Sequence, residues 1–141
     1  MPAVSQAQDR KYVAGLFDGE GHVSIKKHLK NMTIGITNGY LPILEKLQEK
    51  YGGVIQELKR YKDNHSRTWQ WIARNKETFD NFLNDVDMDI RIKIPQVFAA
   101  ECFATTMLKC GGNRRKERLS PLAWAVRREA LENLRRFNRA S

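Results

Sequence analysis

Tyr12-Val13-Ala14-Gly15-Leu16-Phe17-Asp18-Gly19-Glu20-Gly21 is the stretch on which the reading of this chain turns. An apolar helical turn runs into small residues and then into an acidic-Gly-acidic-Gly exit. Ser5 or Asp9 supplies an N-cap, so a helix is expected from about Gln6 or Asp9 to Asp18. Gly19 and Gly21 are expected to stop it, leaving Glu20 just past the helix end. Ala14, Gly15 and Gly19 lack bulk and would let a second helix backbone approach closely. Taken alone, the string also reads as an amphipathic helix with a glycine cap.

The residues that follow alternate. Val23, Ile25 and Leu29 point one way, with Lys27 breaking the rule, and His22, Ser24, Lys26 and His28 point the other. A Lys30-Asn31 turn returns the chain through Met32 to Thr37, with Met32, Ile34 and Ile36 inward and Thr33, Gly35 and Thr37 outward. A helix is predicted over 41–51, with Pro42 in its first turn and Ile43, Leu44 and Leu47 as its apolar stripe. Gly52-Gly53 ends it and opens a second hairpin, Val54 to Tyr61 and Arg67 to Arg74, around a Lys62-Asp63-Asn64-His65-Ser66 turn. There Trp69, Trp71, Ala73 and Ile55 are expected inward, and Thr68, Gln70, Ile72, Gln56, Leu58 and Arg60 outward.

A third helix is predicted from Lys76 to about Val86, carrying Phe79, Phe82 and Leu83. A fourth runs from Ile94 to Cys110, with Val97, Phe98, Cys102 and Leu108 apolar. A loop at 111–113 precedes a last helix from Ser120-Pro121 to about Phe137. The order α-β-β-α-β-β-α with two appended helices gives an α+β fold: a four-stranded antiparallel sheet with helices on one face. Its other face is polar and open to a partner. One domain spans 1–141, with a core over about 5–110 and a helical extension over 111–141.

Composition narrows the partner. Hydrophobic residues make up 41% of the chain, ordinary for a globular protein. A formal net charge of +9 and a pI near 9.8 point to a polyanion, nucleic acid first and an anionic membrane surface second. No stretch approaches the roughly 20 apolar residues that span a bilayer, and the N-terminus does not resemble a secretory signal. Cys102 and Cys110 are eight residues apart on one predicted helix, about 12 Å at 1.5 Å per residue, too far for a disulfide. With His22, His28 and His65 far from them, a zinc site is not expected. Both cysteines read as buried small hydrophobes in a reducing, intracellular compartment: the cytoplasm of a prokaryote or an organelle of a eukaryote.

On the residues Val13 to Gly21, and on the order of hairpins and helices behind them, the chain resembles the LAGLIDADG homing endonucleases. The motif occurs once, so the resemblance implies a homodimer whose motif helices meet on the symmetry axis. It implies Ala14, Gly15 and Asp18 at that contact, Leu16 and Phe17 in each subunit's own core, and Asp18 capping or bracing the helix end rather than binding metal. It implies Glu20, with the backbone carbonyl of Gly19, as the ligands of Mg²⁺ or a like divalent cation, a hard ion that prefers oxygen. The reaction implied is hydrolysis of both strands of a long, roughly palindromic duplex DNA target by an intron- or intein-encoded enzyme, with intron RNA a further partner. Asn38 would orient a metal-bound water, and Lys93 would approach the scissile phosphate. Tyr40-Leu41-Pro42 departs from the family pattern, which often has a basic residue there.

DNA contact is expected from the outward strand faces: Ser24, Lys26, His28, Lys30, Thr33, Gly35, Thr37, Gln56, Arg60, Arg67 and Gln70. Gly35 would leave room for a base or a phosphate. Phosphate contact is expected from Arg114, Arg115 and Lys116, whereas the arginines of the last helix, Arg127 included, read as an exposed face. The rival readings are an intron maturase or non-cleaving nucleic-acid-binding protein of the same fold, and a small structural RNA-binding protein.

Overall fold

The computed structural model describes residues 2–59, 67–107 and 119–140, with side chains for 9–59, 67–107 and 119–138. The expected hairpin turn at 62–66, the strand end at Tyr61, and Leu108, Cys110 and the 111–113 loop lie outside the described residues. So do Arg60, Arg114, Arg115 and Lys116.

Helix α1 spans Pro2–Glu20, followed by β1 Gly21–Ile25, β2 Met32–Asn38, α2 Leu41–Tyr51, β3 Val54–Glu57, β4 Trp69–Ala73, α3 Lys76–Val86, α4 Ile94–Ala104 and α5 Pro121–Ala140. The strands form one antiparallel sheet in the order β1-β2-β4-β3. The predicted alternation sets which face is covered. Gly21, Ile36, Trp71 and Ile55 form one cross-strand row, and Val23, Ile34 and Ala73 the next, all turned toward the helices. Against them pack Phe17 of α1, Leu44 of α2, Phe79 and Phe82 of α3 and Phe103 of α4, all fully buried. Phe82 is the hub: its ring centroid lies 5.2 Å from Trp71, 5.4 Å from Tyr51 and 5.6 Å from Phe17. Aromatic pairs at such spacing add to the area they bury.

A buried indole needs a partner for its N–H. Trp71 Nε1 donates to the Gly52 carbonyl at 2.8 Å. That approach requires glycine next door: a Cβ at Gly53 would come within 2.7 Å of the Ile72 carbonyl, and Gly52 and Gly53 have φ of +84° and +88°. The Gly-Gly pair thus ends α2 and seats the tryptophan in one step.

Helix α3 begins where Asn75 accepts from the Thr78 amide at 2.8 Å, and α5 where Ser120 accepts from the Ala123 amide at 3.1 Å. Four expectations need correction. Helix α1 does not stop at Asp18; it runs through Gly19 to Glu20, with no glycine of positive φ at its end. Strand β1 ends at Ile25, and Leu29 is buried from a left-handed backbone (φ +64°) in the 26–31 turn. Helix α4 stops at Ala104, where Thr105 and Thr106 donate their hydroxyls to the carbonyls of Cys102 and Phe103, both at 2.6 Å. Its buried side is Val97, Ala100, Phe103 and Ala104, while Phe98 is exposed and Cys102 only partly covered.

Arg127 also departs from expectation. It lies in the α4–α5 contact, 5% exposed. Its guanidinium donates to Thr106 Oγ1 (2.6 Å) and the Leu29 carbonyl (3.0 Å), and stacks 4.5 Å from the Phe103 ring. Arg127→Ala would leave those buried oxygens unpaired and lose the ring contact. Chemical denaturation should show a loss of about 2–4 kcal/mol.

Candidate active site and nucleic-acid interface

The motif helix delivers its acidic end to one edge of the sheet. Val13, Ala14 and Phe17 face the chain's own core, whereas Lys11, Tyr12, Gly15, Gly19 and Glu20 are exposed. Ala14 is therefore not part of an exposed stripe; it is fully enclosed within the chain's own core. Gly15 and Gly19 lie four residues apart on the outer face, and a Cβ built at either meets nothing within 4 Å. The open small-residue surface is Gly15 and Gly19, flanked by Tyr12 and the half-buried Leu16.

Asp18 is engaged inside the chain. Its carboxylate accepts from the backbone amides of Arg91, Ile92 and Lys93 at 2.8, 3.1 and 3.0 Å. The bracing role expected for it is what these three hydrogen bonds show. This clamp lays the 91–93 segment against the end of α1 and sets Lys93 as the N-cap residue of α4. The Lys93 ammonium donates to the carbonyl of Gly21, next in sequence to Glu20, and lies 5.8 Å over the Phe17 ring. Burial lowers the Lys93 pKa, partly offset by the Asp18 carboxylate.

Register brings the other residues to the same end. Gly21, directly after Glu20, pairs with Ile36, so Thr37 and Asn38 continue β2 at the end of the sheet where α1 finishes. The Asn38 side-chain oxygen accepts from the Tyr40 amide at 2.8 Å, turning the chain toward α2 and leaving the amide NH₂ for another partner. Among the described residues no three His, Cys, Asp or Glu side chains cluster as a metal site. The oxygens on offer are one exposed carboxylate, Glu20, and the last carbonyls of α1, which have no intrahelical partner. A hard cation fits that donor set, and the negative end of the helix dipole favours it.

Across the open face of the sheet, one row holds His22, Gly35, Ile72 and Val54, and the next Thr37, Gln70 and Gln56. Ser24 and Thr33 pair beyond them. Lys26, His28 and Lys30 are exposed on the β1–β2 turn, where His28 Nδ1 accepts from the Lys30 amide at 3.0 Å. Arg67 is exposed and lies 3.6 Å from Glu57. Gly35 does not leave open room. The space above it holds the His22 ring, which a Cβ there would meet at 2.5 Å. His22 Nε2 lies 3.2 Å from Gln70 Nε2.

His22 is the residue that sequence reasoning placed on the outer face but did not select. Its signal was present: a ring two residues beyond Glu20, on a strand whose neighbour offers a glycine. Burial, and then the positive charge of Lys93, hold its pKa below the ordinary 6.5. The folded state thus favours the neutral ring. The resulting stability is fully present above 6.5 and is lost as pH falls from 6.5 toward the folded value. Denaturant unfolding across that acid range should show a decline that His22→Gln lessens.

Solved structures share this architecture. The homing endonuclease I-CvuI, in complex with the I-CreI target in the presence of 2 mM Mg, with the DNA not cleaved, aligns with a TM-score of 0.57 at 15% identity, covering 92% of this chain and 96% of that one. The archaeal intron-encoded homing endonuclease I-Vdi141I, complexed with DNA, gives 0.56 at 19% identity over 93% and 97%. The meganuclease I-SmaMI bound to uncleavable DNA gives 0.62 at 19% identity, covering 88% of this chain but 44% of that one. No curated protein sequence matches. The family model of the LAGLIDADG-like domain matches residues 7–87, and with it the strand order, the motif helix and its acidic end fall into place: the chain belongs to the LAGLIDADG-like domain family.

Proposed function

We propose that two copies of this chain form a site-specific, metal-dependent DNA endonuclease that hydrolyses both strands of a long, roughly palindromic duplex. The observation that carries the proposal is the exposed Gly15–Gly19 face of α1 ending on a single exposed carboxylate, Glu20. One acid per chain is half of a two-strand site, and a two-fold axis along that face supplies the other half. Beside it, a cleft of about 760 Å³ between α1 and α2, lined by Tyr12, Leu16, Ile43 and Leu47 among others, would receive apolar side chains of the partner.

In this reading Glu20 and the terminal carbonyls of α1 hold Mg²⁺, which when bound lowers the pKa of the attacking water and stabilises the leaving oxygen. Lys93, fixed by the Asp18 clamp and the Gly21 carbonyl, offers positive charge to the scissile phosphate. Asn38 orients a water through its free NH₂. Ser24, Thr33, Thr37, Gln56 and Gln70 meet base edges in the major groove, and Lys26, Lys30 and Arg67 meet phosphates. The net charge of +9 supplies sequence-independent affinity that falls steeply with salt.

The test is incubation of the purified protein with a plasmid library of candidate sites, with and without Mg²⁺. Linearised plasmid only in the presence of the metal supports the proposal. Tight, site-selective binding without cleavage under any divalent cation would replace it with the non-cleaving, maturase-like reading.

A further inference from the structure

We infer that His22, laid over Gly35 and linked through Gln70 to Gln56, is a preset base reader that selects guanine at the base pair nearest the cut. This inference rests on the DNA-cleaving reading above and goes beyond it by naming the residue and the base.

Gly35 has no side chain, and the imidazole occupies its place. A Cβ there would lie 2.5 Å from His22 Cε1 and 2.7 Å from Nε2. The ring therefore lies over the backbone of β2 at Gly35. Gln70 holds it there, and Gln56 holds Gln70: the Gln56 amide donates to Gln70 Oε1 at 3.3 Å. With its oxygen so engaged, Gln70 turns its NH₂ toward His22 Nε2 at 3.2 Å.

The direction of this relay sets the chemistry of the ring. Nε2 accepts, so in the neutral imidazole the proton sits on Nδ1, which is left as a donor. The charged groups nearby are Lys93, at the N-cap of α4, and the Asp18 that braces its amide, near the end of α1. The ring is thus not poised to take a proton from water while the relay is intact: one nitrogen is hydrogen-bonded and the other already protonated. It is suited to recognition instead.

At the His22 end the groups left over are donors: the imidazole Nδ1–H and the second N–H of Gln70. In the major groove guanine presents two acceptors, N7 and O6, and no donor, whereas adenine places a donor beside its acceptor. Position follows from the chain: His22 is two residues beyond Glu20, and Lys93 is anchored on the intervening Gly21 carbonyl. The base pair it meets is one next to the severed phosphates.

The experiment is selection by the full-length protein from a pool of randomised duplexes, in Mg²⁺-free buffer, with the retained DNA sequenced. Wild type, His22→Ala and Gly35→Ala are compared, with a thermal melt of each. Wild type should enrich guanine about tenfold or more at one position in each half-site. His22→Ala should flatten that position alone. Gly35→Ala should flatten the same position, because its methyl group displaces the ring without itself reaching DNA. The double variant should add nothing further, and in melts Gly35→Ala should cost less when His22 is already Ala. An unchanged preference in His22→Ala overturns the inference while leaving the endonuclease reading intact. A Gly35→Ala protein that folds and keeps the guanine preference overturns the preset geometry. A wild-type protein that enriches no sequence overturns both.

Discussion

Glu20→Gln should reduce the rate of plasmid cleavage in Mg²⁺ by about a thousandfold or more while shifting DNA affinity by no more than about tenfold. The amide keeps the shape of the side chain and removes its charge, so cation binding fails and the protein–DNA surface survives. A second signature accompanies the loss. Glu20 is the last residue of α1, where the helix dipole is negative and a carboxylate is disfavoured. The variant should therefore melt at the same temperature as wild type or slightly above it, the mark of a group kept for function at the expense of stability. Initial rates of linearisation, a binding titration and a thermal melt check the three statements. A variant that cuts at the wild-type rate removes Glu20 from the mechanism.

Gly15→Leu should prevent the proposed pairing of two chains. Within one chain the new side chain meets nothing, because a Cβ at Gly15 has open space around it. Replacing an exposed helical glycine should even stabilise the isolated chain by a few tenths to about 1 kcal/mol. Across a two-fold axis the same bulk collides twice. Overpacking of about 1–3 kcal/mol per collision weakens the dimer by about 30-fold to 10⁴-fold in Kd. Sedimentation should show a folded monomer, and cleavage should fall in step with the loss of dimer. Ala14→Leu is the contrast. That position is fully enclosed, so the substitution should disrupt the fold itself. A Gly15→Leu protein that dimerises as tightly as wild type would move the subunit contact elsewhere.

The sheet was legible because burial writes a period of two into a strand. Val23 and Ile25, and then Met32, Ile34 and Ile36, could face only one way, and they do. Helices α2 and α3 were legible for the same reason at the helical period, together with Pro42 in the first turn of α2. The inward and outward faces of α1 were harder to assign. Alanine and glycine are both small, so the sequence does not show that Ala14 is enclosed and Gly15 open; the packing of Phe17 and Val13 decides it. Nor is a glycine a helix stop unless its backbone turns left-handed, which Gly19 does not. Interactions between distant parts of the chain were invisible. Asp18 meets amides 73 to 75 residues away, and Arg127 meets a carbonyl 98 residues away, and no local pattern encodes either. The His22–Gly35 pairing needed the register of two strands before a ring over a glycine could be recognised.

The three amides gathered by Asp18 bear on how this protein could be reprogrammed. They join the end of α1 to the start of α4, so Glu20 and Lys93 ride on one stiff junction that does not pass through the outward side chains of the sheet. Substitutions at Ser24, Thr33 or Gln56, chosen to redirect the protein to another sequence, should leave the proposed catalytic residues Glu20 and Lys93 aligned. His22 is the exception: the charge of Lys93 is felt at its ring, so altering it should change the surroundings of Lys93 as well as the outer face of the sheet.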